Sequence, residues 1–600
     1  MRLWPDSFSV VPGNKARWSY DQGVILKGIE AVWRQTADGD YFRYIQHSMD
    51  YYVREDGTIH DYKPDEFNID HVNNGKLLLL LYEVTGKEKY KKAIQLLRGQ
   101  LLKHPRTAAG GFWHKKIYPW QMWLDGLYMG QPFYAGYARL MGEDSIFQDV
   151  TRQFVLMEQY ARDPKTGLLY HGWDESREQK WSNPQTGRSP HVWARAVGWY
   201  GMAMVDALEQ FPDNHPGKAQ IQAILQRYAN MVATYQDAKS GCWYDILDLP
   251  NRKGNYLEAS ATCMITYTLQ KGMRMGWLPA QYNQSVQKAW SGIQTNFIRY
   301  SNSKEIELHG TVSVSGLGGK PYRDGSFEYY MSEKVVVDDP KGMGAFIKCA
   351  AEVEMAQLPK PGKGKQVLLD RYYNAEKKKL FSQQMGFWHY TWDAQNDPGF
   401  YQFGYFFRMA GASLSTLDEA PTTASLAKAS VYVLVDPDHL KDNPNPHYME
   451  EKEAAVIAQW VKSGGTLIVM ANDSANCDLE HFNVLARKFG VVFTQKSINM
   501  VKNEQLDTGW VVNQTQHVFK RAWNLYLKEV SALEVKKPAV VVAAKQSDAV
   551  MAACRYGKGK VFLVGDPWIY NEYVDGRRLP KRFQNADALK ELIQWTFNVK

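Results

Sequence analysis

The chain is 600 residues long, with 44% hydrophobic and 23% charged residues, which excludes a disordered, collagen-like or membrane-embedded protein and leaves room for more than one core. Its net charge of +8 is the thin difference between 72 basic and 64 acidic side chains, and with Lys377 to Lys379 as the sole basic triple no nucleic-acid partner is indicated. Aromatic residues reach 13%, more than core packing ordinarily requires.

Cys242, Cys263, Cys349, Cys477 and Cys554 are odd in number and scattered, without a C-x-x-C pair, so neither a disulfide scaffold nor a metal framework is expected. The opening residues, MRLWPDSFSV, lack the basic-then-apolar pattern of a secretory signal. The expectation is a soluble protein, cytoplasmic, or periplasmic where a signal has been trimmed. No apolar run is longer than that of Leu77 to Tyr82, which falls far short of the roughly 20 residues a membrane helix needs.

In chain order, apolar residues recur at helical spacing over 24–35, 41–53, 71–84, 88–103, 128–141, 145–161, 193–210, 217–235, 257–271, 280–298 and 342–356. Asp70, in EFNIDHVNNGK, directly precedes the third of these, where it either caps the helix or supplies a carboxylate to a site. Asp125 lies within an aromatic run beside Trp120, Trp123 and Tyr128. It reads either as an N-cap near Gly126 or as a desolvated acid suited to donating a proton. In HGWDES, His171 stands beside Trp173, and a lone histidine has a structural reading as well as a functional one. SPHVWARAVGWYGMAM places Trp193, Arg195 and Trp199 at a helix start. There an arginine fork can bind a carboxylate and indoles can stack on a sugar, or the three form a buried structural cluster.

The loops repeat. GGFWHK (110–115), GLLYHGWD (167–174) and GCWYDILD (241–248) follow successive helical pairs, two of them after the near-identical turns DPKTG and DAKSG. A helical hairpin repeated at unequal spacing argues for a ring of hairpins rather than an open solenoid, with an irregular helical domain as the alternative. An α/α barrel gathers such loops at one mouth, and two Asp residues at helix starts there would supply the two proton-handling groups that acid/base chemistry needs. Trp123, Trp173, Trp193 and Trp199 would line that mouth. The glycines of HGTVSVSGLGG lack the setting of a phosphate loop.

LPKPGKGKQ, with two prolines and two glycines, reads as a linker. The expected organisation is a helical domain over 1–358, a linker over 359–366 and a second domain over 367–600. Downstream, β-branched runs at 366–370, 430–436, 465–470, 491–494, 539–545, 549–557 and 560–566 alternate with helical stretches such as 449–462 and 479–489, the pattern of an α/β domain with a mainly parallel sheet.

WLDGLYM…PFYA, NIDHVNNGK, HGWD, WARAVGWY, LEASAT and SFEYYMSE…DDPKGMGAF together resemble glycoside hydrolase family 105, the unsaturated rhamnogalacturonyl hydrolases, and more distantly the unsaturated glucuronyl hydrolases of family 88. The resemblance covers about residues 15 to 356. It implies an (α/α)6 barrel and hydrolysis of polysaccharide-lyase products that carry a terminal 4,5-unsaturated uronic acid, with no metal or organic cofactor. It further implies Asp125 as the principal acid/base and Asp70 as the second carboxylate. His171, Trp193, Arg195 and Trp199 match the substrate-contacting set, with Lys115 a weaker addition. An inverting glycosidase or a lyase on the same barrel, or a silent carbohydrate-binding protein, are the competing readings. The C-terminal part is similar to glutamine-amidotransferase-like domains, but Cys477 lacks the flanking glycines of their nucleophile and Cys554 falls within a predicted strand, so a non-catalytic role is expected. Asp436, Asp438, Asp473 and His481 form a possible polar patch with no assigned role.

Overall fold

The computed structural model describes residues 16–598; the opening decapeptide read above lies outside them. Two compact units are present. One comprises Tyr44–Gln357 with the chain up to Val32, and the other comprises Trp33–Arg43 with the chain from Leu358 onward.

The chain before Leu358 is helical. Its helices are α1 (Tyr20–Thr36), α2 (Gly39–Asp50), α3 (Gly75–Thr85), α4 (Glu88–Lys103), α5 (Leu124–Met141), α6 (Ser145–Ala161), α7 (Ala194–Leu208), α8 (Pro216–Thr234), α9 (Ala259–Arg274), α10 (Asn283–Asn296), α11 (Phe327–Ser332) and α12 (Pro340–Gln357). Burial separates them into two kinds. α3, α5, α7 and α9 are buried around nearly their whole circumference, whereas α4 buries one stripe containing Tyr90, Ala93, Ile94, Leu97 and Leu101. A helix apolar all round must be enclosed by neighbours, and one with a single stripe faces solvent.

The enclosed helices follow one another around a ring: α3 packs on α5, α5 on α7, α7 on α9 and α9 on α12. Between α12 and α1 the backbones touch, for a Cβ on Gly28 would lie 3.1 Å from the carbonyl oxygen of Gly344. α1 in turn meets the turn before α3, where a Cβ on Gly23 would collide with the side chains of Asn73 and Asn74. Here glycine is required by close approach rather than by backbone freedom.

At one end of the ring the loops are stitched together. The strand β1 (Gln121–Trp123) pairs antiparallel with β2 (Gly172–Asp174), joining the segments that lead into α5 and α7. A bridge between Trp193 and Ile246 joins the next pair of loops. The periodic segments correspond to these helices. α11 escapes periodicity because six residues make fewer than two turns; the side chain of Ser326 accepts from Tyr329 N and starts it.

The second unit is built on a nine-stranded sheet made of β3 (Gln366–Asp370), β4 (Ser413–Leu417), β5 (Val431–Val435), β6 (Thr466–Met470), β7 (Val491–Ile498), β8 (Val530–Val535), β9 (Val540–Lys545), β10 (Asp548–Tyr556) and β11 (Gly559–Val564). The order is β4-β3-β5-β6-β11-β10-β8-β7, with β9 also on β10. The run β4-β3-β5-β6-β11 is parallel, but β10 is antiparallel to β11, β9 and β8, and β7 is antiparallel to β8. The sheet is therefore mixed, not mainly parallel as the alternation of strands and helices suggested. The cause is local: the turn at Gly557, in the left-handed region, folds β10 directly back onto β11 as a hairpin, and a short hairpin can only be antiparallel. In the parallel part, successive residues serve opposite cores. Val431, Val433 and Val435 enter one and Tyr432 and Leu434 the other, which is why these strands read as unbroken apolar runs.

Candidate active site

Asp125 stands in the first turn of α5, two residues after Trp123, which occupies the N-cap position without a side-chain capping bond. It is therefore not the cap. Its Oδ2 lies 3.2 Å from His171 Nε2. The pair is within contact distance but outside hydrogen-bond alignment, and neither atom has a hydrogen-bond partner. Catalytic hydrogen bonds commonly tighten only when substrate is bound. On its other side, His171 Nδ1 lies 2.8 Å from the hydroxyl of Tyr330 on α11.

Asp70 sits in a short 3-10 turn, Ile69–Val72, whose N-cap is Asn68; the Asn68 side chain accepts from Asp70 N. Capping is thus supplied by Asn68, and the Asp70 carboxylate is free for the site. Lys115 Nζ approaches it to 2.6 Å and His114 Nε2 to 3.6 Å. Burial opposes its ionisation, yet the adjacent Lys115 and His114 outweigh burial and hold the carboxyl below the usual range. His114 is itself pushed down to about 4, chiefly by burial, against the pull of Asp70, so it is neutral near pH 7. Its ring stacks on Trp123 at 4.2 Å, and Tyr118 stacks on Trp123 at 5.0 Å. The backbone permits this because Gly126 lies beneath: a Cβ there would come 3.1 Å from His114 Nδ1.

Trp193 occupies the N-cap position of α7 and donates from Nε1 to Asp245 Oδ1 at 3.0 Å. Its ring lies 4.8 Å from that of His171 and 6.2 Å from that of Tyr330. Burial first, and then the charge of Glu258, push the Asp245 carboxyl up to about 8, so it is protonated near neutral pH. Glu258 is the N-cap of α9, accepting from Ala261 N, and its other oxygen accepts from Val312 N at 3.0 Å. Arg195 is fully buried. It donates to the carbonyl oxygens of Val312 and Ser313, stands 3.7 Å from Glu258, and lies 5.1 Å from the Trp193 ring. Its two terminal nitrogens donate to the 312–313 segment, while its Nε has no hydrogen-bond partner.

Two tryptophans have other surroundings. Trp199, one turn further along α7, stacks on Tyr128 at 4.7 Å. Lys76 sits over the same tyrosine at 3.5 Å and donates to its carbonyl at 3.4 Å. That carbonyl lacks its helical donor because residue 132 is a proline. Trp173 stacks face to face on Tyr160 of α6 at 4.0 Å. The structure thus brings Asp125, His171, Trp123 and Trp193 into ring-to-ring or charge contact and sets Asp70 with Lys115 beside His114. His114, Tyr330, Asp245 and Glu258 were not singled out from the sequence. The GGFWHK and GCWYDILD loops and the SFEYY and LEASAT segments contained them, but nothing local set them apart from their neighbours.

A closed ring of enclosed helices, presenting two carboxylates among stacked aromatic rings at the helix starts, is an α/α barrel with a candidate acid/base site. Residues 6–357 match the model of Glycosyl Hydrolase Family 88, and the chain belongs to that family. A solved structure of a family 105 glycoside hydrolase from C. acetobutylicum ATCC 824 shares 48% identity, covers 56% of this chain and 94% of its own, and superposes with a TM-score of 0.56. "Protein Atu3128" of Agrobacterium fabrum is 36% identical over 230 residues, 37% of this chain and 97% of its own. "Unsaturated rhamnogalacturonyl hydrolase YesR" of Bacillus subtilis strain 168 is 30% identical over 282 residues, 46% of this chain and 75% of its own.

Proposed function

We propose that the protein releases the terminal 4,5-unsaturated uronic acid from oligosaccharides left by polysaccharide lyases, with an unsaturated rhamnogalacturonan disaccharide as the first substrate to test. Family membership and the similarity to YesR support the substrate class. The observation that carries the reading is the unlike setting of the two carboxylates. Asp70 is held ionised beside Lys115, whereas Asp125 faces a histidine. Groups placed in different electrostatic surroundings take different proton tasks.

In this reading the Asp125 carboxyl gives its proton to C4 of the vinyl ether, leaving an oxocarbenium ion across C5 and the ring oxygen. Water adds at C5 and its proton passes to the Asp125 carboxylate. The resulting hemiketal opens to a ketone, and the hemiacetal left at C1 expels the hydroxyl of the neighbouring sugar. No nucleophile attacks the anomeric carbon, so carboxylate separation does not report stereochemistry here. Ionised Asp70 stabilises the developing positive charge. Trp123, Trp193 and His171 are assigned to border the reacting ring, and Lys115, paired with Asp70 at 2.6 Å, is the candidate cation for the substrate carboxylate. Arg195 acts by holding the 312–313 segment, Trp199 by supporting the floor through Tyr128, and Trp173 by bracing its loop on Tyr160.

The test is the ultraviolet absorbance of the unsaturated uronate. It should disappear with time, and in heavy water the product should carry deuterium at C4. Growth of absorbance would instead mark a lyase, and a product without deuterium would exclude hydration of the double bond.

A further inference from the structure

α5 contains a proline, and its effect falls next to the proposed proton donor. Pro132 has no N–H, so the carbonyl of Tyr128, four positions before it, loses its helical donor, and the proline ring crowds the same oxygen. Asp125 stands in the first turn of this helix, directly ahead of the interruption. A buried carbonyl left over in this way has to find another donor, and the turn in front of a proline is where a helix bends.

Lys76 supplies that donor. It stands in the first turn of α3 and is 6% exposed. Its Nζ donates to Tyr128 O at 3.4 Å and lies 3.5 Å from the centre of the Tyr128 ring. Trp199 of α7 stacks on the same ring at 4.7 Å, so three enclosed helices meet at Tyr128. Lys271 and Lys348, also buried, pair with Asp206, whereas Lys76 meets a carbonyl and an aromatic face. Burial, and then the charge of Lys348, hold its amine well below the usual range. An amine donates with or without its extra proton. Burying a lysine is costly, and the freed carbonyl is a reason to do so.

The same residue leads back to the second carboxylate. Lys76 N donates to Asn73 O at 3.3 Å, and Asn73 N donates to Asp70 O at 3.2 Å. The turn that carries Asp70 and the turn that carries Asp125 are therefore linked through one side chain. Acid–base work depends on where such groups stand, and a shift of about 1 Å can cost on the order of 10²-fold in rate. We propose that Lys76 is a positioning residue: by holding the carbonyl that Pro132 frees, it fixes the first turn of α5, and Asp125 with it, against the turn of Asp70. The proposal rests on the roles assigned above to the two aspartates.

The test is a cycle of Lys76→Met, Pro132→Ala and the double variant in the full chain. Methionine keeps the length and removes the donor, and alanine at 132 returns the N–H to the helix. On an unsaturated rhamnogalacturonan disaccharide, Lys76→Met should lower kcat by about tenfold with less change in KM, and adding Pro132→Ala should recover at least about fivefold. Thermal melts read the bond without substrate: Pro132→Ala should raise the midpoint more in the Lys76→Met chain than in the parent. Lys76→Gln, one atom shorter, gives the same comparison should the methionine variant be insoluble. An unchanged kcat in Lys76→Met, or a double variant no faster than Lys76→Met, would overturn the positioning role, because a packing defect is not repaired by a backbone N–H. Additive midpoints would overturn the bond to the carbonyl. A parent chain that leaves the uronate absorbance unchanged would instead refute the proposed reaction, and the melts would still decide whether Lys76 holds the carbonyl.

Discussion

The hydroxyl of Tyr330 and Nδ1 of His171 are 2.8 Å apart, and both side chains are wholly buried. With the hydroxyl donating, the imidazole hydrogen resides on Nε2, the nitrogen 3.2 Å from Asp125. Tyr330 thus positions the proton donor through an intermediate ring. Tyr330→Phe keeps the ring packing on Trp193 and removes one hydrogen bond of about 1 kcal/mol. Turnover should fall roughly fivefold to tenfold with little change in KM, and the pH profile of kcat should shift. An unchanged profile would reduce Tyr330 to a packing role.

Asp125→Asn leaves the shape of the site intact and removes its transferable proton. Turnover should drop by about 10²–10⁴-fold, the usual contribution of general acid–base catalysis, while substrate still binds in calorimetry. Activity near that of the unaltered chain would refute the assignment.

Lys115 tests the setting of Asp70. The Asp70 carboxyl lies below its ordinary range because Lys115 and His114 outweigh its burial. A lowered folded-state value means the ion pair stabilises the fold above the ordinary carboxylate range and loses that contribution as pH falls through the lowered value. Lys115→Met should therefore move the acid limb of the rate profile to higher pH. The stability gap between variant and parent, read by thermal melts, should be present at pH 7 and close on acidification; a gap that widens in acid would contradict it.

Deeper in the ring, Asp206 on α7 receives Lys271 of α9, Lys348 of α12 and the hydroxyl of Tyr267. Burial opposes its ionisation, but the two lysines outweigh burial and hold the carboxyl well below the usual range. Asp206→Asn leaves the buried Lys348 ammonium facing a neutral amide, while Lys271 keeps Glu209 at 2.8 Å. A loss of about 3–5 kcal/mol is the usual consequence of breaking such a pair, visible as a lower denaturation midpoint; a midpoint within error of the parent would refute a stabilising role for the cluster.

The helices, the parallel strands and the family motifs were legible in the linear chain because each depends on residues close to one another. Apolar spacing in α3 or α7 and the β-branched runs of β5 and β6 are local facts. So is the company of Asp125, and its position in the first turn excludes the capping role that the same local pattern also allowed. Contacts between distant segments were not legible. His171 meets Tyr330 across 159 positions, and Tyr330 rides on a helix too short to show a period. Arg195 reads as a free fork until its partners, Val312 and Ser313, are seen more than a hundred positions away.

The direction of the last strands likewise follows from how β10 folds onto β11, which composition does not encode. By itself the sequence determined a helical ring, an α/β unit and a set of candidate residues for the chemistry, because periodicity and residue type are properties of neighbours. Tertiary structure alone decided which carboxylate is held ionised, which arginine is already engaged and which buried oxygens lack a partner. Charge and hydrogen bonding act through space, and the groups that settle them come from loops far apart in the chain.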